Sequence, residues 1–558
     1  MKKITTLLIV LFTGFSSMAQ FNLYWANSYA YTVTSGFSNE VRKVATDANG
    51  NIFVLSDITS DLDSTNHVGP IQYYVILQKY SPSGTLLIQK HFNVRNMQVS
   101  NTFNNSSAFA LIVDASGSVY IGFNRYNVGG SNYDIQVMKY NNALTSAWTF
   151  AYSTPANESG IDIVLRGSTT FLLFKSVSGA NTTYSISKVQ PNAGTSQPLY
   201  SFDANFDVVN SITTTPTLNL FVTGYRLISG VKNAMTASLT PLGNLKWKQT
   251  FNNNTVTGDD IGTKIMVGTD GFIYIAGTTF VNGTNGNDAL VLRYNASNGT
   301  RNFQLAINYN LGSLNTDIGY DIAQGTGGFV FLGTTKGNSD VVVHKINTVN
   351  GLNVTSSASY KPTPQNYTSF NSVNINTLKI ASSNNVYVGG GVFAGSASGN
   401  FGASYLARFG MLGANFGVLG STDVEGSNAE CYETMSIAFD APRNNVIRVR
   451  NFWSTNATHG QESIFIEDFS LGSLKLSGSS VNSSEKKRIF YPNPASDLIY
   501  FDNINFNVRV EVYDFTGRLV KSANQIESTF DISELAAGKY LLLLNDNNSI
   551  QREILIIE

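Results

Sequence analysis

The chain has 558 residues, with Lys+Arg 36 against Asp+Glu 37 and a net charge of −1, so it carries no basic footprint for nucleic acid and no acidic tail. Charged residues make up 13%, about half the roughly 25% of an ordinary soluble domain. The 42% hydrophobic content, with Phe 35, Tyr 27 and Gly 48, excludes a disordered chain and argues against a helical bundle or coiled coil.

Met1-Lys2-Lys3, an apolar run from Ile4 to Phe15 and Ser17-Met18-Ala19-Gln20 form a charged, apolar and small-residue series that predicts a secretory signal peptide over residues 1–19. Cleavage between Ala19 and Gln20 is the expected processing step. The run is short of the roughly 20 apolar residues of a spanning helix, and no later stretch reaches that length, so no transmembrane segment is expected in the mature protein. Cys431 is the single cysteine. No intramolecular disulfide can form, and a buried structural thiol is the expected role, since Glu430 and Glu433 beside it oppose a thiolate.

The body repeats. Val44 to Val54 reads as strand, Asp-Ala-Asn-Gly turn and strand, and it recurs at Leu111 to Ile121 and at Met266 to Ile275. Weaker copies centre on Gly167-Ser168, Pro216-Thr217, Gly327-Gly328, Asn384-Asn385 and Asn444-Asn445. Each unit has a second half, seen in Asp134 to Tyr140, Asp288 to Tyr294 and Asp340 to Ile346. Four short strands per unit in radial series predict an all-β propeller over residues 20–478. Counting units gives eight blades, or seven if a degenerate unit is not a blade. Asn22 to Tyr29 reads as an outer strand standing ahead of the first inner strand, so it is expected to complete the last unit and close the ring.

These units, such as Asp270-Gly271-Phe272-Ile273-Tyr274-Ile275-Ala276-Gly277, resemble the β-propeller repeats of secreted bacterial proteins. The resemblance implies fold and export and fixes no activity.

Residues 479–489 read as a polar linker ending in a short charge run. Residues 490–558 then form a compact β-rich module, expected as a small β-sandwich with strands at Leu498 to Phe501, Arg509 to Tyr513, Arg518 to Lys521, Lys539 to Leu544 and Arg552 to Ile557. Its motifs are Tyr491-Pro492-Asn493-Pro494, Val512-Tyr513-Asp514 with Gly517-Arg518, Asp531-Ile532-Ser533 with Leu535, and Gly538-Lys539-Tyr540-Leu541. In these it closely resembles the type A C-terminal sorting domain of the type IX secretion system of Bacteroidetes. The resemblance implies recognition by the secretion machinery, passage through the periplasm and across the outer membrane, and release or attachment at the cell surface. The terminal Glu558 departs from the basic ends common in that family.

No catalytic, cofactor or metal site is read from the sequence. His67, His91, His344 and His459 are scattered without ligand spacing. Met138, Leu292 and Ala407 occupy the place of His344 in other units, which marks it as scaffold. Lys79, Lys139, Lys188, Arg293, Lys345 and Arg408 recur unit after unit and are expected as inter-blade charges. Asp47-Ala48-Asn49-Gly50-Asn51 lacks the twelfth-position Glu of a calcium loop, and the Asp turns depart from sialidase-type boxes in their glycine spacing and missing Trp. Acids that break the repeat are Asp61, Asp63, Asp259, Asp260, Glu425, Glu430 and Glu433.

Three functional classes follow. The leading one is a secreted or surface binding and adhesion module with a glycan or surface-protein ligand, using insertions at 57–72, 93–107 and 392–403. The rivals are an extracellular enzyme degrading polysaccharide or peptide in the central channel, and a structural surface component. A channel lined by two or more carboxylates favours the enzyme; one lined by Ser, Thr and apolar residues favours binding.

Overall fold

The computed structural model describes residues 22–30, 40–61, 71–96, 108–189, 198–253, 258–281, 287–308, 317–336, 339–349, 353–362, 372–381, 384–396, 399–412, 415–425, 430–454, 463–470, 490–491, 495, 497–501, 508–513, 519–526, 529–545 and 550–557. The chain divides into two compact units, Met1–Lys475 and Leu476–Glu558. The signal segment with Ala19 and Gln20, the linker, His67, His459 and Asp63 lie outside the described residues.

In the first unit, every repeat read from the sequence is an antiparallel sheet. Blade one pairs Glu40–Thr46, Ile52–Asp61, Ile71–Tyr80 and Leu86–Asn96 in that order. Seven further sheets follow along the chain, so among the described residues the blades number eight. The inner strands begin at Glu40, Ala108, Asn157, Asp207, Ile261, Gly319, Ser372 and Glu430. Each touches the next, and the last returns to the first, which closes the ring. Blade eight takes its fourth strand from the N-terminus: Asn22–Ala30 pairs antiparallel with Ser463–Ser470. The expected ring closure is therefore present.

The turn chemistry explains why hairpins form at the repeated sites. Gly50, Gly117 and Gly271 have φ of 79°, 77° and 79°, a left-handed conformation that glycine adopts without steric cost. Asp47 caps its turn by accepting the N–H groups of Asn49 and Asn51, both at 2.9 Å. Asp114 does the same for Ser116 and Ser118. These are turn aspartates, as the spacing predicted.

Each second and third strand is packed between two neighbouring blades, so its apolar residues run continuously instead of alternating. Phe53, Leu55, Val75 and Leu77 of blade one pack on Val119, Ile121 and Phe123 of blade two. On its other side Val41, Ile52, Val54 and Ile76 meet Ile447, Val449, Ile464 and Ile466 of blade eight.

A β-bulge interrupts the inner strand of every blade except the seventh, where the strand is split into Ser372–Val373 and Thr377–Ile380. The residue before the bulge is where adjacent blades are hydrogen-bonded. Backbone N–H groups of Val41, Ala108 and Gly160 donate to Asn451, Asp57 and Asn124 of the preceding blade. At Gly262, Gly319 and Thr434 the carbonyl accepts instead, from Asn210, Thr263 and Asn376 of the preceding blade.

The insertions need one correction. Residues 392–396 and 399–403 are ladder, not open loop: Val386–Ser396 and Gly399–Leu412 stay paired from Val392↔Ala403 out to Ser396↔Gly399. Residues 57–61, 71–72 and 93–96 are likewise strand. Strand direction places the ends at Asp61 and Ile71, Asn96 and Ala108, and Ser396 and Gly399 on one face of the propeller, opposite the Asp-turn face.

The second unit contains two sheets, one of Phe490–Tyr491, Leu498–Phe501 and Thr529–Asp531, the other of Leu519–Ile526, Val508–Tyr513, Gly538–Asn545 and Ile550–Ile557. They enclose Ile499, Val510, Val512, Phe530, Ile532, Leu542 and Leu555. The third strand runs on to Ile526, beyond the expected Lys521, and Thr529–Asp531 is a short strand the sequence reading did not separate.

Candidate functional site

The inner strands supply the walls of the central channel, and their register sets which side chains meet there. At the mouth on the long-connection face, Asn374, Glu433 and Glu40 hold the same register position in blades seven, eight and one. The equivalents in blades three to six are Ser159, Val208, Ile261 and Ile318. Among the described residues, the acids thus break the repeat on one arc only.

This arc is tightly bonded. Glu433 Oε1 accepts from Asn374 at 2.8 Å and from Asn376 at 2.6 Å. Asn374 is itself fixed, accepting the Gly391 N–H at 2.7 Å and bonding Tyr405 through its carbonyl at 2.6 Å. Arg42 pairs with Glu40 and, at 2.7 Å, with Asp57. Burial raises the Glu40 pKa despite Arg42, and Asp57 and Glu433 add to the rise. Burial disfavours the Arg42 cation, but Asp57 and Glu40 outweigh this and hold its pKa above the ordinary value.

One step deeper, the residue after the bulge is Lys43 in blade one, Asp162 in blade three, Lys264 in blade five and Asp321 in blade six. Lys379 of blade seven lies two residues beyond the equivalent Thr377. Blades one and five are diametrically opposed in an eightfold ring, so Lys43 and Lys264 stand on opposite walls. Lys43 feels the fields of Asp162, Lys264, Lys379 and Asp321, which only convergence in the channel allows. Burial, together with Lys264 and Lys379, lowers the Lys43 pKa; burial works against the Lys264 cation too, but Asp321 and Asp162 prevail and raise its pKa.

At the Asp-turn face, a cavity of about 630 Å³ lies between blades two, three and four, lined by Ile112, Asp114, Leu165, Arg166 and Thr213.

Several other candidates have structural partners. Lys79 donates to the Asn142 carbonyl of the next blade at 2.8 Å and lies over Phe53. Arg293 reaches Thr348 of the next blade at 3.0 Å and stacks on Phe272. His344 is 2% exposed, shares a 3.2 Å contact with Thr334, and burial lowers its pKa to about 4. His91 is exposed beside Gln89. Asp259 pairs with Lys232 at 2.8 Å, and the buried Asp260 accepts from Thr279 and Asn253. Asp61, Glu425, Glu430 and Cys431 lie on strands; their side chains are outside the described residues. Sequence reasoning singled out Glu433 and missed Glu40, Lys43, Lys264 and Lys379, which no local motif marks.

In the second unit, Tyr491 pairs with Tyr500. Leu535 and Tyr540 pack on the core, and the Tyr540 hydroxyl donates to the Ala536 carbonyl at 2.7 Å. Gly538 opens its strand and Lys539 follows it. Pro492, Asn493, Pro494, Asp514, Gly517 and Arg518 lie outside the described residues.

Residues 489–558 match the family model of the secretion system C-terminal sorting domain. No curated protein matches the chain. Among solved structures, the chain is similar to PorZ, a surface component of the type IX secretion system of Porphyromonas gingivalis, at 11% identity and TM-score 0.35, covering 93% of this chain and 82% of that one. It is similar to the β-propeller domain of the Trilobed protease from Pyrococcus furiosus at 8% identity and TM-score 0.32, covering 82% and 100%. It is also similar to a family PL25 ulvan lyase at 12% identity and TM-score 0.37, covering 70% and 98%. The propeller itself rests on the strand pairing described above. The chain is a β-propeller protein with a type IX sorting tail, and that tail implies secretion to the cell surface or the extracellular space.

Proposed function

We propose that this is a surface-delivered binding and adhesion protein whose glycan or protein ligand is taken at the long-connection face, over the channel mouth. The carrying observation is the arc of Asn374, Glu433 and Glu40, where three adjacent blades replace the apolar and small residues found at the same position in blades three to six. Scaffold residues repeat around a ring, whereas a recognition site needs an asymmetric cluster. On this reading export starts with removal of residues 1–19, and residues 479–489 link the propeller to the module at 490–558. The secretion machinery then reads that module through Tyr491 to Pro494, Asp514, Gly517, Arg518, Leu535 and Gly538 to Tyr540.

The test is a glycan and surface-protein binding screen with the secreted protein, with each well also assayed for released sugar. Saturable binding that Glu433→Gln and Asn374→Ala weaken supports the proposal; binding indifferent to both overturns it.

A hydrolase is the second reading, favoured by one observation. Glu40 and Glu433 are neighbouring carboxylates on adjacent strands, and the Glu40 carboxyl holds its proton more tightly than an ordinary glutamate, as a general acid requires. Released sugar that disappears in both Glu40→Gln and Glu433→Gln would establish it.

A further inference from the structure

We propose that the channel contains an anion site formed by Lys43, Lys264 and Lys379, for a ligand carrying at least two carboxylate or sulfate groups. It lies one register step below the mouth arc and stands independently of the function proposed for that arc.

Several other cations of the propeller are paired. Arg42, Arg226, Lys232, Lys248, Arg443, Arg448 and Arg450 all sit within ion-pair reach of a carboxylate. Lys79 and Arg293 donate to acceptors on the next blade. Among the described residues, Lys43, Lys264 and Lys379 make no hydrogen bond or ion pair; exposed cations such as Lys188 and Lys246 make none either, but these three share one confined space with two carboxylates. Those carboxylates are turned partly to their own strands, Asp162 accepting the Ile163 N–H and Asp321 the Ile322 N–H, each at 2.9 Å.

Three ammonium groups against two carboxylates give this level of the channel a positive excess, beneath the acids Glu40 and Glu433 of the mouth. The excess falls on the side of blades seven and one, because Asp162 and Asp321 flank Lys264 in the ring. Lys43 and Lys379 are open to water, so a ligand can reach them, yet the encircling protein displaces much of the solvent that would screen their repulsion. An oxyanion between them relieves that repulsion. The opposed placement of Lys43 and Lys264 favours a ligand with two anionic groups over a single small ion.

The test is calorimetric titration of the secreted protein, at low and moderate salt, with sulfate, citrate, trigalacturonate and neutral maltotriose. Citrate or trigalacturonate is expected to saturate, to weaken as salt rises, and to lose about tenfold or more in affinity in Lys43→Met and Lys264→Met. Lys246→Met, on the exposed outer strand of blade four, is expected to bind as the parent does. Lys43→Arg keeps the charge and is expected to retain binding, which separates lost charge from lost fold; thermal melting of each variant checks the same point. Sulfate binding as tightly as the larger anions would overturn the two-group ligand. No saturable anion binding, equal binding of maltotriose, or equal weakening by Lys246→Met would overturn the site. Glu433→Gln leaves anion binding in place if the two sites are separate, so failure of one reading is visible without failure of the other.

Discussion

Asn451 Oδ1 accepts the backbone N–H of Val41 at 2.7 Å across 410 residues of chain, fastening the last blade to the first. At the same register point the Ala108 N–H donates to Asp57 and the Gly160 N–H to Asn124 Oδ1. The ring is therefore stitched at one level, immediately beneath the mouth arc. A ligand held by residues on blades seven, eight and one would sit directly over the closing seam.

The first prediction concerns that bond. Asn451→Leu leaves a buried N–H without its partner, and an unsatisfied buried donor costs about 1–3 kcal/mol. Urea unfolding should show a lower midpoint with an unchanged slope. Asn124→Leu, at the equivalent join between blades two and three, should cost a similar amount. A near-zero effect at both positions would show that the stitches add nothing to the apolar packing between blades.

A second prediction concerns the closing strand. Deleting residues 22–30 removes the partner of Ser463–Ser470 and exposes a strand edge, which invites pairing between chains. Size-exclusion chromatography should show dimers or larger species that the full protein does not form. A monomer with an unchanged melting temperature would mean that ring closure does not depend on this strand.

The third prediction follows from the ionic core of blade eight. Arg448 bonds Glu467 at 2.6 Å and Arg450 bonds it at 3.1 Å, a buried charge cluster that replaces uncharged residues such as Gln78, Ser187 and Leu292 at the position of Glu467 in other blades. Burial opposes ionisation of Glu467, but the two guanidinium groups prevail and lower its pKa. A carboxylate pKa lower in the folded than in the unfolded chain gives stability that is full above the unfolded value and fades as pH falls through the folded one. Glu467→Gln should destabilise by about 3–5 kcal/mol near neutral pH by leaving buried cations unpaired. It should also flatten the acid limb of the stability profile below the ordinary glutamate range. An unchanged acid limb would assign the pH dependence to other carboxylates.

The propeller was legible because its turns demand a left-handed residue at a fixed spacing. Where that residue is Gly50, Gly117 or Gly271 the repeat is plain. Where Leu218, Asn384 or Asn444 takes the same conformation, at φ of 63°, 59° and 54°, the signal weakens although the hairpin is the same. The closing strand was legible for a similar reason, as an outer-strand pattern standing ahead of any inner strand. The channel was not. Glu40 and Glu433 lie far apart in sequence and become neighbours only when the ring closes. Lys43 and Lys264 share a level because each follows a bulge, and a bulge shifts register by one residue without requiring a particular residue type. Glu433 stood out only as an acid breaking the repeat, and Glu40, at the end of a connection, gave no such contrast.

The fourth prediction tests the scaffold reading of His344. Its place in the third strand of blade six is held by Leu292 in blade five and Met138 in blade two, both facing a neighbouring blade. Burial lowers the His344 pKa from 6.5 to about 4, so the folded protein keeps the ring neutral while the unfolded chain protonates it. Stability from this residue is complete above pH 6.5 and is lost as pH falls toward 4, a total of about 3 kcal/mol at roughly 1.4 kcal/mol per unit. His344→Leu should remove that slope while leaving stability at pH 8 within about 1.5 kcal/mol of the parent, as for a volume-conserving apolar exchange. Binding at the channel mouth and within the channel should be unchanged. Loss of either activity in a folded His344→Leu protein would move this histidine from the scaffold into the site.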